Sequence, residues 1–228
     1  MEKMIGIIGG IGPAATICFE QNIVERTDAE KDQEYIPMIT LNDTRIPDRT
    51  AFILGESDDD PGPILVDDAK KLEHYGCTCI AMPCNTAHYF YSDVSKSVNI
   101  PVFNMLDETM KACEGMKKVG ILATEGTLRS RIYEEYAKKH GVELVLPSDE
   151  DAKKVMEIIY NQVKAGKEID IFGFRVLLKN LIDKGADSVI LGCTELSVIN
   201  RKYKLLDVVD PLDVLAVSIV KFCGKEVR

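Results

Sequence analysis

The stretch KMIGIIGG at 3–10 is apolar at nearly every position and shows no polar alternation. A strand of that kind must be covered on both faces, which is the condition of a parallel sheet carrying helices on either side. AATICFEQNIVERT follows it as a helix, with Pro13 well placed near the helix start. The alternation then recurs. YIPMITLN reads as a strand, GPILVDDAKKLEHYG as a helix ending at Gly76, CTCIAMPC and PVFNML as strands, and DETMKACEGM as a helix. From Lys118 the same order begins again with KVGILAT, LRSRIYEEYAKKHG and VELVLP. Two helical stretches within 149–184, the strands SVILGC and LLDVVD, and a last helix from about Leu212 to Phe222 complete it.

The second run is a copy of the first in spacing as well as order. Gly6 and Gly120 are 114 residues apart, Gly76 and Cys84 each precede Gly185 and Cys193 by 109, and VFNMLD at 102 precedes VVDPLD at 208 by 106. Near-constant offsets in one order indicate an internal duplication. The expected architecture is α/β, with two similar parallel-sheet halves: residues 1–105 plus 208–228 form the first and 106–207 the second. DETMKACEGM and the last helix are expected to cross over, each packing on the other half.

Two segments break the pattern. NDTRIPDRTAFILGESDDDPGP at 42–63 reads as a long polar connection with Asp58, Asp59 and Asp60 at its tip, and NQVKAGKEIDIFG at 161–173 carries Lys164 and Lys167. Long irregular connections in compact domains are where function concentrates. The acidic triplet itself is read as a solvated loop tip.

Charge and cysteine usage bound the function. The 28 basic and 37 acidic residues leave a net charge of −9, which disfavours nucleic acid and anionic membrane as partners. A small anionic substrate would therefore need a local cationic site. No apolar run approaches the roughly 20 residues that span a bilayer, and the N-terminus lacks the order of a signal peptide. The seven cysteines are odd in number and scattered, so reduced thiols in a cytoplasmic protein are expected.

Two of those cysteines stand apart. Cys84 in AMPCNTAHYF and Cys193 in ILGCTELSVI each end an apolar strand and precede small polar residues. Ligand crevices of parallel α/β sheets lie beyond the carboxyl ends of strands. A cysteine at the N-terminus of the next helix can have its pKa lowered toward neutrality. Two such thiols facing each other suit deprotonation of a weakly acidic C–H on one face and reprotonation on the other, which racemises an amino acid without a pyridoxal cofactor. Core filling is the alternative, and it is preferred for Cys18, Cys77, Cys79, Cys113 and Cys223. It would not call for Asn85, Thr86 and Thr194 directly after the paired cysteines.

Two other chemistries compete. Cys77, Cys79, Cys84 and His88 are potential zinc ligands, but their spacing is not that of a knuckle and no metal site is expected. His74 and His140 are read as helix-end residues. GIGPAA at 10–15 matches a dinucleotide fingerprint between a strand and a helix, yet no acid is placed to hold a ribose. Its glycines, Gly10 among them, are expected to let the loop approach a small substrate.

IGIIGGIGPAAT, IPDRT at 46–50, PCNTAH at 83, GILATEGTLRS at 120, VKAG at 163 and GCTEL at 192 together resemble the pyridoxal-independent aspartate/glutamate racemase superfamily, and within it the aspartate racemases. The resemblance covers essentially the whole chain. It implies halves related by pseudo-twofold symmetry, a substrate held between them, and a homodimer. It makes Cys84 and Cys193 the catalytic acid/base pair. Asn85, Thr86 and Thr194 would bind the α-carboxylate and amino group, helped by Thr124 or Thr127. Arg49 and Lys164 would hold the side-chain carboxylate, with Asp48 orienting Arg49. Glutamate racemases typically carry an Asp-Ser pair in the first glycine loop and a histidine after the second Cys-Thr. Here the loop is GGIGPAAT and the position is Glu195, counted with the substrate-binding residues.

The expected activity is cofactor-free racemisation of a small acidic amino acid, aspartate first. Glutamate or broader specificity is the same-class alternative. A nicotinamide-dependent oxidoreductase and a non-catalytic amino-acid-binding protein are the alternatives from other classes.

Overall fold

The computed structural model describes residues 3–228. Two parallel sheets form the framework. The first has the order β2-β1-β3, from β1 (Ile5–Gly9), β2 (Met38–Asn42) and β3 (Cys79–Ala81). The second has the order β5-β4-β6-β7, from β4 (Lys118–Ala123), β5 (Glu143–Val145), β6 (Ser188–Gly192) and β7 (Val208–Val209). A parallel bridge from Ile80 to Val102 extends the first sheet at the place β7 occupies in the second. Both sheets thus follow one order, as the repeated spacing predicts.

The helices are α1 (Pro13–Arg26), α2 (Arg49–Leu54), α3 (Gly62–His74), α4 (Tyr91–Lys96), α5 (Met105–Ala112) and α6 (Glu125–Arg129) in the first part of the chain. α7 (Ile132–Lys139), α8 (Asp149–Glu157), α9 (Ile171–Asp183), α10 (Thr194–Tyr203) and α11 (Pro211–Phe222) follow. The paired glycines explain how helix meets sheet. A Cβ on Gly6 of β1 would lie 2.9 Å from Leu72 Cβ of α3, and one on Gly120 of β4 would lie 2.9 Å from Leu181 Cβ of α9. Each glycine lets a helix approach its central strand closely. Both helices then stop on a glycine with positive φ, Gly76 at 88° and Gly185 at 93°. The next N–H folds back onto the helix in each case: Cys77 donates to Leu72 O at 3.1 Å and Ala186 to Leu181 O at 3.2 Å.

The central strands are buried on both faces, while the edge strands β2 and β5 are only partly covered. Ile5, Ile7, Cys79 and Ala81 pack with Phe19 and Ile23 of α1 and with Leu212, Leu215 and Ile219 of α11. Ile8, Ile80 and Met82 pack with Leu65 and Leu72 of α3. In the second half Leu122, Val189 and Leu191 meet Phe174 and Leu177 of α9. Val119, Ile121 and Ile190 meet Tyr133 of α7 and Leu106 and Met110 of α5. Thus α11 covers the first sheet and α5 the second.

Several elements differ from the sequence reading. The 42–63 connection contains α2, capped by the Asp48 side chain, which accepts from Ala51 N–H at 3.0 Å. LRSRIYEEYAKKHG is two helices, α6 and α7, because Arg131 takes φ 56° between them. PVFNML contributes one bridging residue rather than a full strand. α8 continues into a π-helical turn at Ile158–Val163, where Lys164 N–H donates to Ile159 O at 3.0 Å. β7 pairs with β6, so Val208 and Val209 sit in the second sheet. Among the described residues no helix is long and apolar enough to cross a membrane.

Candidate active site

Cys84 and Cys193 end equivalent strands. Cys84 lies three residues beyond β3, just before a short 3₁₀ turn at Thr86–Phe90 that leads into α4. Cys193 follows β6 directly, with extended backbone, and caps α10. Both thiols are nearly enclosed, at 7% and 5% exposure. Surface hollows of about 540 and 620 Å³ lie elsewhere, beside α6 and α8 and between α5 and α11.

The main chain at Cys84 is held by a neutral histidine. Met105 N–H donates to His88 Nε2 at 3.0 Å, so Nδ1 carries the proton and donates to Cys84 O at 2.9 Å. Burial pushes the His88 pKa down to about 4. His88 is therefore a brace beneath the cysteine. The four residues weighed as zinc ligands are not gathered: Cys79 packs on the α1 face of the first sheet, Cys77 and Cys84 on the α3 face.

Polar residues after Cys84 cross to the second half. Thr86, Thr124 and Thr127 form a buried triangle of hydroxyls, with separations of 2.8, 3.1 and 3.1 Å. Thr124 stands at the end of β4 and its hydroxyl accepts from Thr127 N–H at 3.3 Å. Tyr133 of α7 donates its hydroxyl to Asn85 Oδ1 at 2.5 Å. Burial raises the Tyr133 pKa, which keeps that proton in place. Asn85 is 1% exposed and its Nδ2 has no partner.

Charge enters from the two irregular segments. Arg49 opens α2 and is buried; its Nη1 donates to Pro47 O at 2.8 Å and to Ile46 O at 3.4 Å, while its Nε is unpartnered. Burial opposes its charge, but adjacent Cys84, Asp48 and Glu195 outweigh this and raise its pKa. Lys164 follows the π turn, stands 4.1 Å from the centre of the Tyr160 ring and lies 3.9 Å from Asp48. Its pKa is also raised, as Glu195, Tyr160, Cys193 and Asp48 together overcome the cost of burial. Tyr160 OH donates to Asp48 Oδ2 at 3.2 Å, joining the two segments.

The second cysteine has a different neighbour. Cys193 Sγ donates to Glu195 Oε2 at 2.9 Å, with both residues 5% exposed. Burial, the Glu195 charge and that hydrogen bond drive the Cys193 pKa well above the usual thiol value, with Lys164 opposing and Cys84 reinforcing the rise. The expected depression at the helix N-terminus is thus overturned here by desolvation and a carboxylate. Thr194 is buried at the first position of α10. Gly10 has φ 82°, and the space a Cβ would take is filled by the main chain of Asp43 at 2.4 Å. The glycine that meets the site is Gly12, where a Cβ would stand 2.9 Å from Glu195 Oε1.

The structure therefore brings Cys84, Asn85, Thr86, Arg49, Thr124, Thr127, Lys164, Cys193, Thr194 and Glu195 to the junction of the halves. Sequence reasoning missed Tyr133 and Tyr160, and of the loop glycines it singled out Gly10 rather than Gly12. Only Gly12 carried a local signal, as part of the glycine loop.

Two parallel α/β halves with matched strand-end cysteines define a racemase-like scaffold, and the Asp/Glu/hydantoin racemase family profile matches residues 8–219. The chain belongs to that family and is an amino acid racemase within it. It is 29% identical over 225 residues to the broad specificity amino-acid racemase RacX of Bacillus subtilis, covering 95% of this chain and 96% of that one. The structure of the Picrophilus torridus aspartate racemase superposes with a TM-score of 0.84 at 31% identity, over 99% of this chain and 96% of the other. An aspartate racemase homologue from Pyrococcus horikoshii superposes with a TM-score of 0.77 at 27% identity, over 99% and 100% of the two chains.

Proposed function

We propose that the protein interconverts the enantiomers of an acidic amino acid, aspartate first, with Cys84 and Cys193 as the paired acid and base. The observation that carries this reading is a pair of buried, unpartnered donors beside Cys84: Arg49 Nε and Asn85 Nδ2. A buried donor without a partner costs about 1–3 kcal/mol, and an anionic ligand would satisfy both. Asn85, Thr86, Thr194 and the Thr124/Thr127 hydroxyls bind the α-carboxylate and amino group, and Arg49 and Lys164 hold the side-chain carboxylate. The likeness to the Picrophilus torridus enzyme favours aspartate. Broad specificity is the second reading, supported by the RacX likeness and by Lys164, whose charge is already met by Asp48.

We also propose a division into 1–105 plus 210–228 and 106–209, the boundary expected at 208 being moved past β7 because β7 pairs with β6, and a homodimer in a reducing cytoplasm; light scattering tests the assembly.

The activity test is α-proton exchange in D2O, followed by proton NMR on L-aspartate, L-glutamate and L-alanine without added cofactor. Exchange of aspartate is expected, lost in Cys84→Ser and Cys193→Ser and largely kept in Cys79→Ser. No exchange with any of the three, or exchange that survives both active-site substitutions, would overturn the reading.

A further inference from the structure

The two thiols are equivalent in the fold but not in their surroundings. Cys193 donates its S–H to Glu195 Oε2 at 2.9 Å. The other carboxylate oxygen is packed against Gly12, whose missing side chain leaves it room. Among the described residues Cys84 has no carboxylate neighbour of this kind and instead adjoins the Arg49 guanidinium, which keeps an unpartnered N–H. Cys193 therefore has a carboxylate in direct contact, with the Lys164 ammonium also facing it, whereas Cys84 adjoins a guanidinium.

We infer that Glu195 is a positioning residue that holds Cys193 as the proton donor of the free protein, leaving Cys84, beside Arg49, as the proton acceptor. This rests on the two-cysteine reading above. It moves Glu195 from the substrate-binding set to the machinery that sets the protonation of one thiol. The groups facing Cys193 are Glu195 on α10, Lys164 and Tyr160 from the π turn, Cys84 beyond β3, and Tyr133 on α7. Of these, Lys164 alone is a cation, and it is drawn to Glu195 at the same time. Desolvation acts in the same direction as the carboxylate, since Cys193 is 5% exposed.

The proton ledger closes. As the substrate's Cα–H bond breaks, a new S–H bond forms at Cys84. As a new Cα–H bond forms on the opposite face, the S–H bond of Cys193 breaks and its electron pair stays on sulfur. The product leaves with one proton exchanged, and the protein is left protonated at Cys84 and ionised at Cys193. That second state places a thiolate beside Glu195, so it relaxes back by proton exchange with solvent or by turning over the opposite enantiomer. The enantiomer whose α-proton points at Cys84 meets the resting form directly.

The test is alkylation of the full-length protein by iodoacetamide across a pH series, with each cysteine read separately by peptide mass spectrometry. Only thiolate reacts, so the midpoint of the pH profile reports ionisation, while the plateau reports access. In the wild type, Cys84 should react at lower pH than Cys193. Glu195→Gln, which keeps the shape and removes the charge, should bring the Cys193 midpoint down by about one pH unit or more, raising its labelling near neutrality about tenfold. The Cys84 profile should stay within about twofold, as no direct contact to it is lost. Lys164→Met should move the Cys193 midpoint the other way, which keeps the inference testable if Glu195→Gln fails to fold. An unchanged Cys193 midpoint in Glu195→Gln, or one that fails to rise in Lys164→Met, would overturn the inference. So would a rise in KM with the labelling profile intact, because Glu195 would then be binding the substrate ammonium. The labelling needs no turnover, so its failure is separable from a failure of α-proton exchange.

Discussion

The contact between Tyr133 and Asn85 is the sharpest single test of how the second half supports the first. Tyr133 is 3% exposed and Asn85 1% exposed, and their 2.5 Å hydrogen bond links α7 to the residue after Cys84. Tyr133→Phe removes the donor and leaves a buried carbonyl oxygen unsatisfied, at a cost of about 1–3 kcal/mol. In a chain of this length each kcal/mol corresponds to roughly 2–4 °C in Tm, so a fall of about 2–12 °C is expected. Asn85 Nδ2 is already unpartnered, so the substitution frees both ends of the amide and removes its fixed direction. If that amide orients substrate, kcat/KM should fall about 2–10-fold beyond any loss of folded protein. Urea denaturation of wild type, Tyr133→Phe, Asn85→Ala and the double variant forms a cycle that isolates the pair. Once Asn85 is gone, Tyr133→Phe should cost little. Strict additivity, or a single-variant cost below about 0.5 kcal/mol, would show that the hydroxyl does not support Asn85.

Arg49→Lys should retain the positive charge but lose the planar fork, lowering kcat/KM for aspartate about 10–100-fold in steady-state assays, with a smaller loss for an uncharged amino acid. An equal loss for both would show that Arg49 does not read the side-chain carboxylate. His88 titrates at about 4 in the folded protein against an ordinary value near 6.5. Its contribution to stability is complete above the unfolded value and is lost as pH falls from about 6.5 toward 4, by roughly 3 kcal/mol. Denaturant melts across that window should show a shallower pH slope in His88→Gln than in wild type. Gly120→Ala would push a Cβ to 2.9 Å from Leu181 Cβ. It should destabilise by about 1–3 kcal/mol by overpacking, and an unchanged thermal melt would mean that strand and helix can part without cost.

The framework was legible because its signals are local and repeated. IGIIG is apolar throughout and SVILG is apolar after Ser188, and short unbroken runs of this kind read as strands covered on both faces. The equal spacing of Gly76 with Gly185 and of Cys84 with Cys193 reflects the same helix end and the same strand end built twice. α2 was readable in principle, since Asp48 after Pro47 is a helix-start signal, but its six residues are too short to show a period. The π turn was not readable, because IIYNQV has the same apolar spacing as an ordinary helix and differs only in hydrogen bonding. The break at Arg131 leaves no glycine to mark its positive φ. The Tyr133–Asn85 and Tyr160–Asp48 bonds join residues far apart in the chain, so no local pattern encodes them. Cys193 and Glu195 are neighbours in sequence, yet only the fold shows that the carboxylate turns back onto the thiol.

What the duplication supplies and what it leaves out divide the site in two. Strand order, the Gly6–Leu72 and Gly120–Leu181 contacts and the sequence spacing of the cysteines are shared by both halves, although Cys84 stands three residues past β3 and Cys193 directly follows β6. The charged groups do not obey that symmetry. Arg49 comes from α2 and Lys164 from the π turn, segments outside the repeated strand–helix pattern, and Glu195 follows only the second cysteine. A duplicated scaffold by itself would give two thiols of equal acidity, with no preference for which loses its proton. Placing a guanidinium beside one and a carboxylate beside the other breaks the tie, because opposite charge favours the ionised thiol and like charge the neutral one. On the proposed two-cysteine mechanism, the shared scaffold serves the two faces of one carbon, and the unequal charges set the order in which the thiols act.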